Sequence, residues 1–223
     1  CQKRNKDVFK SIFSPTKDPR KWFLKRWRLM QKYTEALIPS KPSSVRIIAG
    51  QWKGRRLKLV TAGIRPTPNR IRETLFNWLA PVIEGRRGVD LFAGTGALGI
   101  EALSRGAAQM AFVERHRTVA RRLRKVLQEF DCTAGQVFNM DAVGFLQGEP
   151  KGFDLVFLDP PFDGPKLENL CTLLGSRGWL APEAYVYLET GQPQGLPSLP
   201  DSWELRRQQS AGEGIYALAQ WKG

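Results

Sequence analysis

The chain has three cysteines among 223 residues, Cys1, Cys132 and Cys171, too few and too scattered for a disulfide framework or a zinc site. The single histidine, His116, excludes an imidazole metal cluster and a histidine-based triad, and its place beside Glu114 in a basic stretch reads as surface. No apolar run approaches the roughly eighteen residues that span a bilayer, so neither a membrane nor a metal is an expected partner. The first segment lacks the charge, apolar and cleavage pattern of a secretory signal, which makes the cytoplasm the expected compartment. Acid is scarce in the first third. Residues 1–44 hold twelve Lys or Arg against three Asp or Glu, and residues 45–72 hold eight basic residues and no acid. The net charge of +14 is therefore lopsided, and such a field suits a polyanion, because each phosphate contact releases condensed counterions.

What is present fits one globular core with an appendage: 42% hydrophobic and 25% charged residues. Residues 1–44 read as a basic extension without a domain pattern, in which "KWFLKRWRLMQKY" has the spacing of a short amphipathic helix and "IPSKPSS" breaks it. "VRIIAGQWKGRRLKLV" predicts two short strands around a glycine-containing turn, within a hairpin assigned to residues 45–64. In "RPTPNRIRETLFNWLAPV", Thr67 is placed to cap a helix with Pro68 in its first turn, and Ile71, Leu75, Trp78 and Leu79 recur at helical spacing. From residue 88 strands and helices alternate, through "GVDLFAG", "ALGIEALSRG", "QMAFVE", "RTVARRLRKVLQEF", "GQVFNMD", "FDLVFLD" and "AYVYLET". That order predicts an α/β domain over residues 65–223, with a mostly parallel sheet covered on both faces and a closing antiparallel pair.

Two motifs lie at strand ends. Gly94, Gly96 and Gly99 follow the first strand of the domain in G-x-G-x-x-G spacing, and Glu114 ends the next strand. A dinucleotide pyrophosphate wants helix amides rather than a carboxylate beside it, yet Asp90 stands four residues before Gly94. S-adenosylmethionine carries a sulfonium and an ammonium and no phosphate, so acids suit it. Asp141 and Asp159 end the third and fourth strands, so four acids fall on the rim where parallel sheets bind ligands.

The second motif is "LDPPFD", residues 158–163, whose prolines cannot continue a central strand. Methylating an exocyclic amine needs hydrogen-bond acceptors for both amine hydrogens, because the nitrogen's lone pair is delocalised into the ring. Asp159 and a backbone carbonyl of Pro160 or Pro161 offer them, and Phe162 offers a face on which a base stacks.

These stretches, with "RIIAGQWKGRRL", "RPTPNRIRETLFNWLAP", "GWLAPEAYVYLE" and "GIYALAQW", resemble the RsmD family over residues 45–222. Its members are bacterial methyltransferases acting on N2 of a guanine in 16S ribosomal RNA. The resemblance implies a class I S-adenosylmethionine-dependent methyltransferase fold, Rossmann-like, with a seven-stranded, mostly parallel sheet, an antiparallel last strand and an RNA-gripping N-terminal hairpin. It places the cofactor on Asp90, Gly94, Gly96, Glu114 and Asp141, with Phe92, Gly99 and Ala142 completing the expected set. It places amine handling on Asp159, Pro160, Pro161 and Phe162. Arg46, Lys53, Arg55, Arg56, Arg65, Arg70 and Arg72 are the expected RNA contacts, the partner is the small ribosomal subunit, and the chain is expected to act as a monomer. The Asp-Pro-Pro-aromatic motif does not name the base, so a DNA adenine-N6 or another RNA amine methyltransferase stays open. An NAD-dependent oxidoreductase is the more distant alternative. The extension over residues 1–44 has no counterpart in the resemblance.

Overall fold

Residues Phe153–Leu158 form the central strand because nothing in FDLVFL but Asp154 resists burial on both faces. A computed structural model describes residues 44–58, 67–161, 164–191, 195–212 and 214–223. The expected extension, except Ser44, and the expected site residues Arg65 and Phe162 lie outside the described residues. Nine strands are described: β1 Ser44–Arg46, β2 Arg56–Lys58, β3 Arg87–Asp90, β4 Gln109–Val113, β5 Gly135–Phe138, β6 Phe153–Leu158, β7 Leu180–Gly191, β8 Trp203–Ala211 and β9 Gly214–Trp221. The described helices are α1 Asn69–Leu79, α2 Ala97–Ser104, α3 Arg117–Glu129, α4 Ala142–Leu146 and α5 Leu167–Ser176. None of these is long and apolar enough to cross a membrane.

The large sheet runs β5-β4-β3-β6-β7-β9-β8, with β3 to β7 parallel to one another. Alternate residues of its strands feed two cores. Phe112, Leu155, Phe157 and Tyr187 pack with α1, α2 and α3, whereas Val89, Val113, Val156, Leu158 and Leu188 pack with α4 and α5. In α3 the buried stripe is Val119, Ala120, Leu123, Val126 and Leu127, which leaves its arginines outward.

The closing antiparallel pair lies at the sheet's edge as expected, with the last strand inside: β9 inserts between β7 and β8, so the lone antiparallel strand is internal and β8 is the edge. Composition explains this, since β9 buries Tyr216 through Gln220 while β8 exposes Leu205 through Ser210. Thr67 does not cap α1; Pro68 holds the cap position and no side chain caps the helix. The short helix α4, capped by Asp141, has no periodic signal in so few residues.

The hairpin β1–β2 is sewn to the main core. Val45, Ile47 and Leu57 are buried in the cluster that contains α1 and α2. Its connecting loop donates from Ile48 N and Ala49 N to the Glu101 carboxylate of α2, at 2.7 and 3.0 Å. Ser104 closes the seam, accepting from Gln51 N at its carbonyl and from Trp52 N at its hydroxyl, and donating that hydroxyl to Ala49 O. Gly50, at φ 81°, lies so close to the Ser104 carbonyl that no Cβ fits. On the other side, the Arg55 guanidinium sits 3.7 Å over the Phe130 ring and donates to Glu129 O at 2.6 Å.

Candidate active site

Parallel strands bring their carboxyl ends to one rim, and the acids follow. Asp90 is the last residue of β3, Glu114 and Asp159 directly follow β4 and β6, and Asp141 opens α4 beyond β5. A fifth acid, Glu189, stands near the end of β7. Glu114, Asp141, Asp159 and Glu189 line a cavity of about 1120 Å³ whose wall also includes Phe92, Gly94, Ala142, Pro160 and Pro161. Thr67, Pro68 and Ile71, from the start of α1, close one side.

Asp90, Gly96 and Gly99 stand behind this wall rather than on it. Gly96 is left-handed at φ 79° and its missing Cβ leaves room for Leu123, while Gly99 lets α2 approach the Phe112 ring. The amides of the turn are already answered by acids. Gly94 N donates to Glu114 Oε2 at 3.0 Å and His116 N to Glu114 Oε1 at 2.6 Å. Asp90 accepts from Phe92 N at 3.4 Å and also from the Gly99 amide. Asp90 is buried, and its carboxylate holds the Phe92 amide of the loop that borders the cavity.

Burial pushes the Asp90 carboxyl up to about 7, with nearby Glu114 adding to the rise and the Phe92 and Gly99 amides opposing it. An unfolded aspartate titrates near 3.9. Between about pH 4 and pH 7 the folded chain therefore keeps a proton that the unfolded chain releases, so this group's contribution to stability falls as pH rises through that window and is level above it. Asp90→Asn, which has no such proton, is expected to lose less stability than the parent between about pH 5 and pH 8 in urea melts. Parallel pH profiles for the two proteins would show that Asp90 titrates in its ordinary range.

Asp141 caps α4, its Oδ1 accepting from Gly144 N at 2.8 Å, and its carboxylate stays exposed at the cavity edge with capacity for a ligand donor. Asp159 is half-buried. Its Oδ2 accepts from Thr67 Oγ1 at 3.3 Å, across 92 residues of sequence. Burial, then Glu189, then Asp90 hold its carboxyl well above the usual carboxylate range, and the Thr67 hydrogen bond pulls the other way. The loop beyond is tightened by Gly164 N donating to Pro161 O at 2.8 Å.

Among the expected polyanion contacts, Arg46, Lys53, Arg55, Arg56 and Arg70 are exposed. Arg72 is not. It is fully buried, donates from Nη2 to Arg46 O at 2.8 Å and to Asn69 Oδ1 at 2.7 Å, and pairs with Glu101 at 3.6 Å. No phosphate reaches it, and it is not an RNA contact. The site residues that the sequence alone does not single out are Thr67 and Glu189; the acid in "YLET" is the same signal that marks the other four strand ends.

A doubly wound sheet with a glycine turn after β3, an acid after β4 and Asp-Pro-Pro after β6 is the class I S-adenosylmethionine-dependent methyltransferase fold. The chain belongs to the family described as Conserved hypothetical protein 95, whose model matches residues 45–220. It is 46% identical over 177 residues to "Ribosomal RNA small subunit methyltransferase D" of Escherichia coli strain K12, covering 79% of this chain and 89% of that protein. The Haemophilus influenzae protein of the same name is 44% identical over 188 residues, covering 82% and 96%. The solved structure of Escherichia coli yhhF, described as a candidate methyltransferase, superposes with a TM-score of 0.76 at 44% identity over 80% of this chain and 98% of that one.

Proposed function

We propose that this chain methylates the exocyclic N2 amine of a guanine in 16S ribosomal RNA of the small subunit, acting as a monomer in the cytoplasm. The observation that carries this reading is the placement of Asp159, Pro160 and Pro161 on the wall of the cavity that the glycine turn also borders. Relatives named as small-subunit ribosomal RNA methyltransferases, at 44–46% identity, favour ribosomal RNA over DNA adenine.

The cavity suits a phosphate-free, cationic nucleoside better than a dinucleotide. The Gly94 amide, which a pyrophosphate would need, is engaged by Glu114. Carboxylates at Glu114 and Asp141 favour the ammonium and the hydroxyls of such a ligand, with Phe92 and Ala142 as its apolar contacts. When bound, S-adenosylmethionine supplies an electrophilic methyl group, and its C–S bonding pair stays on sulfur as the amine lone pair takes the carbon. Asp159 and a carbonyl of the Pro160–Pro161 segment accept the two amine hydrogens, which turns the nitrogen's lone pair towards the donor. The amine is cationic after transfer, and the Asp159 carboxylate is placed to stabilise it and to receive its surplus proton. Phe162 completes this assignment as the stacking face for the target base.

Arg46, Lys53, Arg56 and Arg70 form the proposed RNA grip, with Arg65 between them in sequence and Arg55 as a contact that also braces the hairpin on Phe130. Lys53→Ala with Arg56→Ala is expected to flatten the dependence of log K on log salt by about 0.7–0.9 for each phosphate no longer neutralised. An unchanged slope in filter-binding titrations would put the RNA on another face. The function itself is tested by labelled methyl transfer to small subunits that lack the modification. One methyl group per subunit, with none on duplex DNA, is expected; labelling of DNA alone would replace this reading with the adenine one.

A further inference from the structure

Glu189 is a second carboxylate at the amine site, and base recognition needs one. The parallel register pairs Leu158 of β6 with Leu188 of β7, so the next residues, Asp159 and Glu189, are lateral neighbours on strands about 5 Å apart. Both line the same cavity. Each is oriented by a hydroxyl. Thr67 donates to Asp159, and the Tyr187 hydroxyl, buried beneath, donates to Glu189 Oε2 at 2.8 Å. A carboxylate has sites for about four hydrogen bonds, and the one from Tyr187 aims the group.

Two adjacent acceptors fit one nucleobase edge. Guanine presents its N2 amine next to an N1–H, two neighbouring donors. Adenine and cytosine present their amines next to a ring nitrogen with a lone pair, which a carboxylate repels. Resting on the reading of the site as an amine methyltransferase, we infer that Glu189 is the specificity-determining residue that accepts the N1–H of the target guanine while Asp159 holds its N2 amine. The rejection of adenine is thus built into the end of β7, whereas the Asp-Pro-Pro motif treats all exocyclic amines alike.

The test uses 2-aminopurine, which keeps the N2 amine but has a lone pair in place of N1–H. Small subunits are reconstituted with 16S RNA ligated to carry guanine or 2-aminopurine at the mapped target, and kcat/KM is measured on both. The ratio is independent of the active fraction, so a partly folded variant still reports. The parent is expected to prefer guanine by about 100-fold or more, since an unmatched polar partner is left buried with the analogue. Glu189→Gln, whose amide can donate to the lone pair, and Glu189→Ala, which removes the repulsion, are both expected to bring the ratio below about 10-fold. A ratio unchanged in both variants, or a parent that uses the two bases equally, overturns the assignment to Glu189. A parent that methylates neither base overturns the proposed function, and this inference with it.

Discussion

Asp159→Ala is expected to lower the rate of methyl transfer by about 10²–10³-fold, the usual loss when one preorganised hydrogen-bonding group is removed from a reacting centre. The affinity for S-adenosylmethionine, measured by calorimetry, is expected to change little, because Glu114, Asp141 and the glycine turn stand on other strands. Asp159→Asn separates positioning from proton transfer. Its amide oxygen still accepts one amine hydrogen, so it should retain more activity than alanine; equal loss in the two variants would make Asp159 an obligatory proton acceptor. Stability is expected to move the other way. Asp159 is crowded by burial, Glu189 and Asp90, all of which disfavour its charged form, so either variant should melt no lower than the parent at neutral pH. The same crowding sets the pH profile. The ionised carboxylate is the form that stabilises the cationic amine and receives its surplus proton, so activity should fall with acidification from a midpoint well above the ordinary carboxylate range.

The second large effect is structural. Glu101, fully buried on α2, accepts from Ile48 N, Ala49 N and Arg105 Nε and faces Arg72 at 3.6 Å. That last distance makes an ion pair but not a hydrogen bond, and Arg72 Nε and Nη1 have no hydrogen-bond partner. Burial pulls the Arg72 guanidinium below its usual pKa, with Glu101 as the largest opposing influence. Glu101→Ala would strand this cation and two backbone amides, at a cost of about 3–5 kcal/mol, or on the order of 10 °C in melting temperature for a chain of this size. Arg72→Met is expected to cost much less, because Glu101 keeps Arg105 and both amides while the replacement fills the same apolar slot. Equal losses in urea melts would mean that the pair acts symmetrically. Because Glu101 also ties down the loop between β1 and β2, its variant should lose RNA affinity at temperatures where the main sheet is still folded.

The parts of this chain that can be read directly are local. The apolar run of β6, the glycines after β3 and the prolines after Asp159 each state their role within a few residues, and alternation of strands and helices then fixes the parallel rim. What escapes such reading depends on partners far along the chain. Thr67 resembles a helix cap because its hydroxyl's acceptor lies 92 residues away. Arg72 sits among exposed basic neighbours in sequence, yet it shares the helical stripe of Leu75, Phe76 and Leu79, and a charge on an apolar stripe points to a buried partner. Asp90 ends its strand as the rule for parallel sheets predicts, but its burial and its hold on the Phe92 amide are not visible in the sequence. The order of β8 and β9 follows from which of two hairpin strands is more apolar, a comparison that periodicity alone does not make.

The central claim is that this cavity delivers a methyl group to a nucleobase amine held against Asp159. Its most direct test is mass spectrometry of the nucleosides released from small-subunit RNA after incubation with the protein and isotopically labelled S-adenosylmethionine. Label in N2-methylguanosine is the predicted result. Label in a ribose, in a ring carbon, or in no nucleoside at all would contradict it.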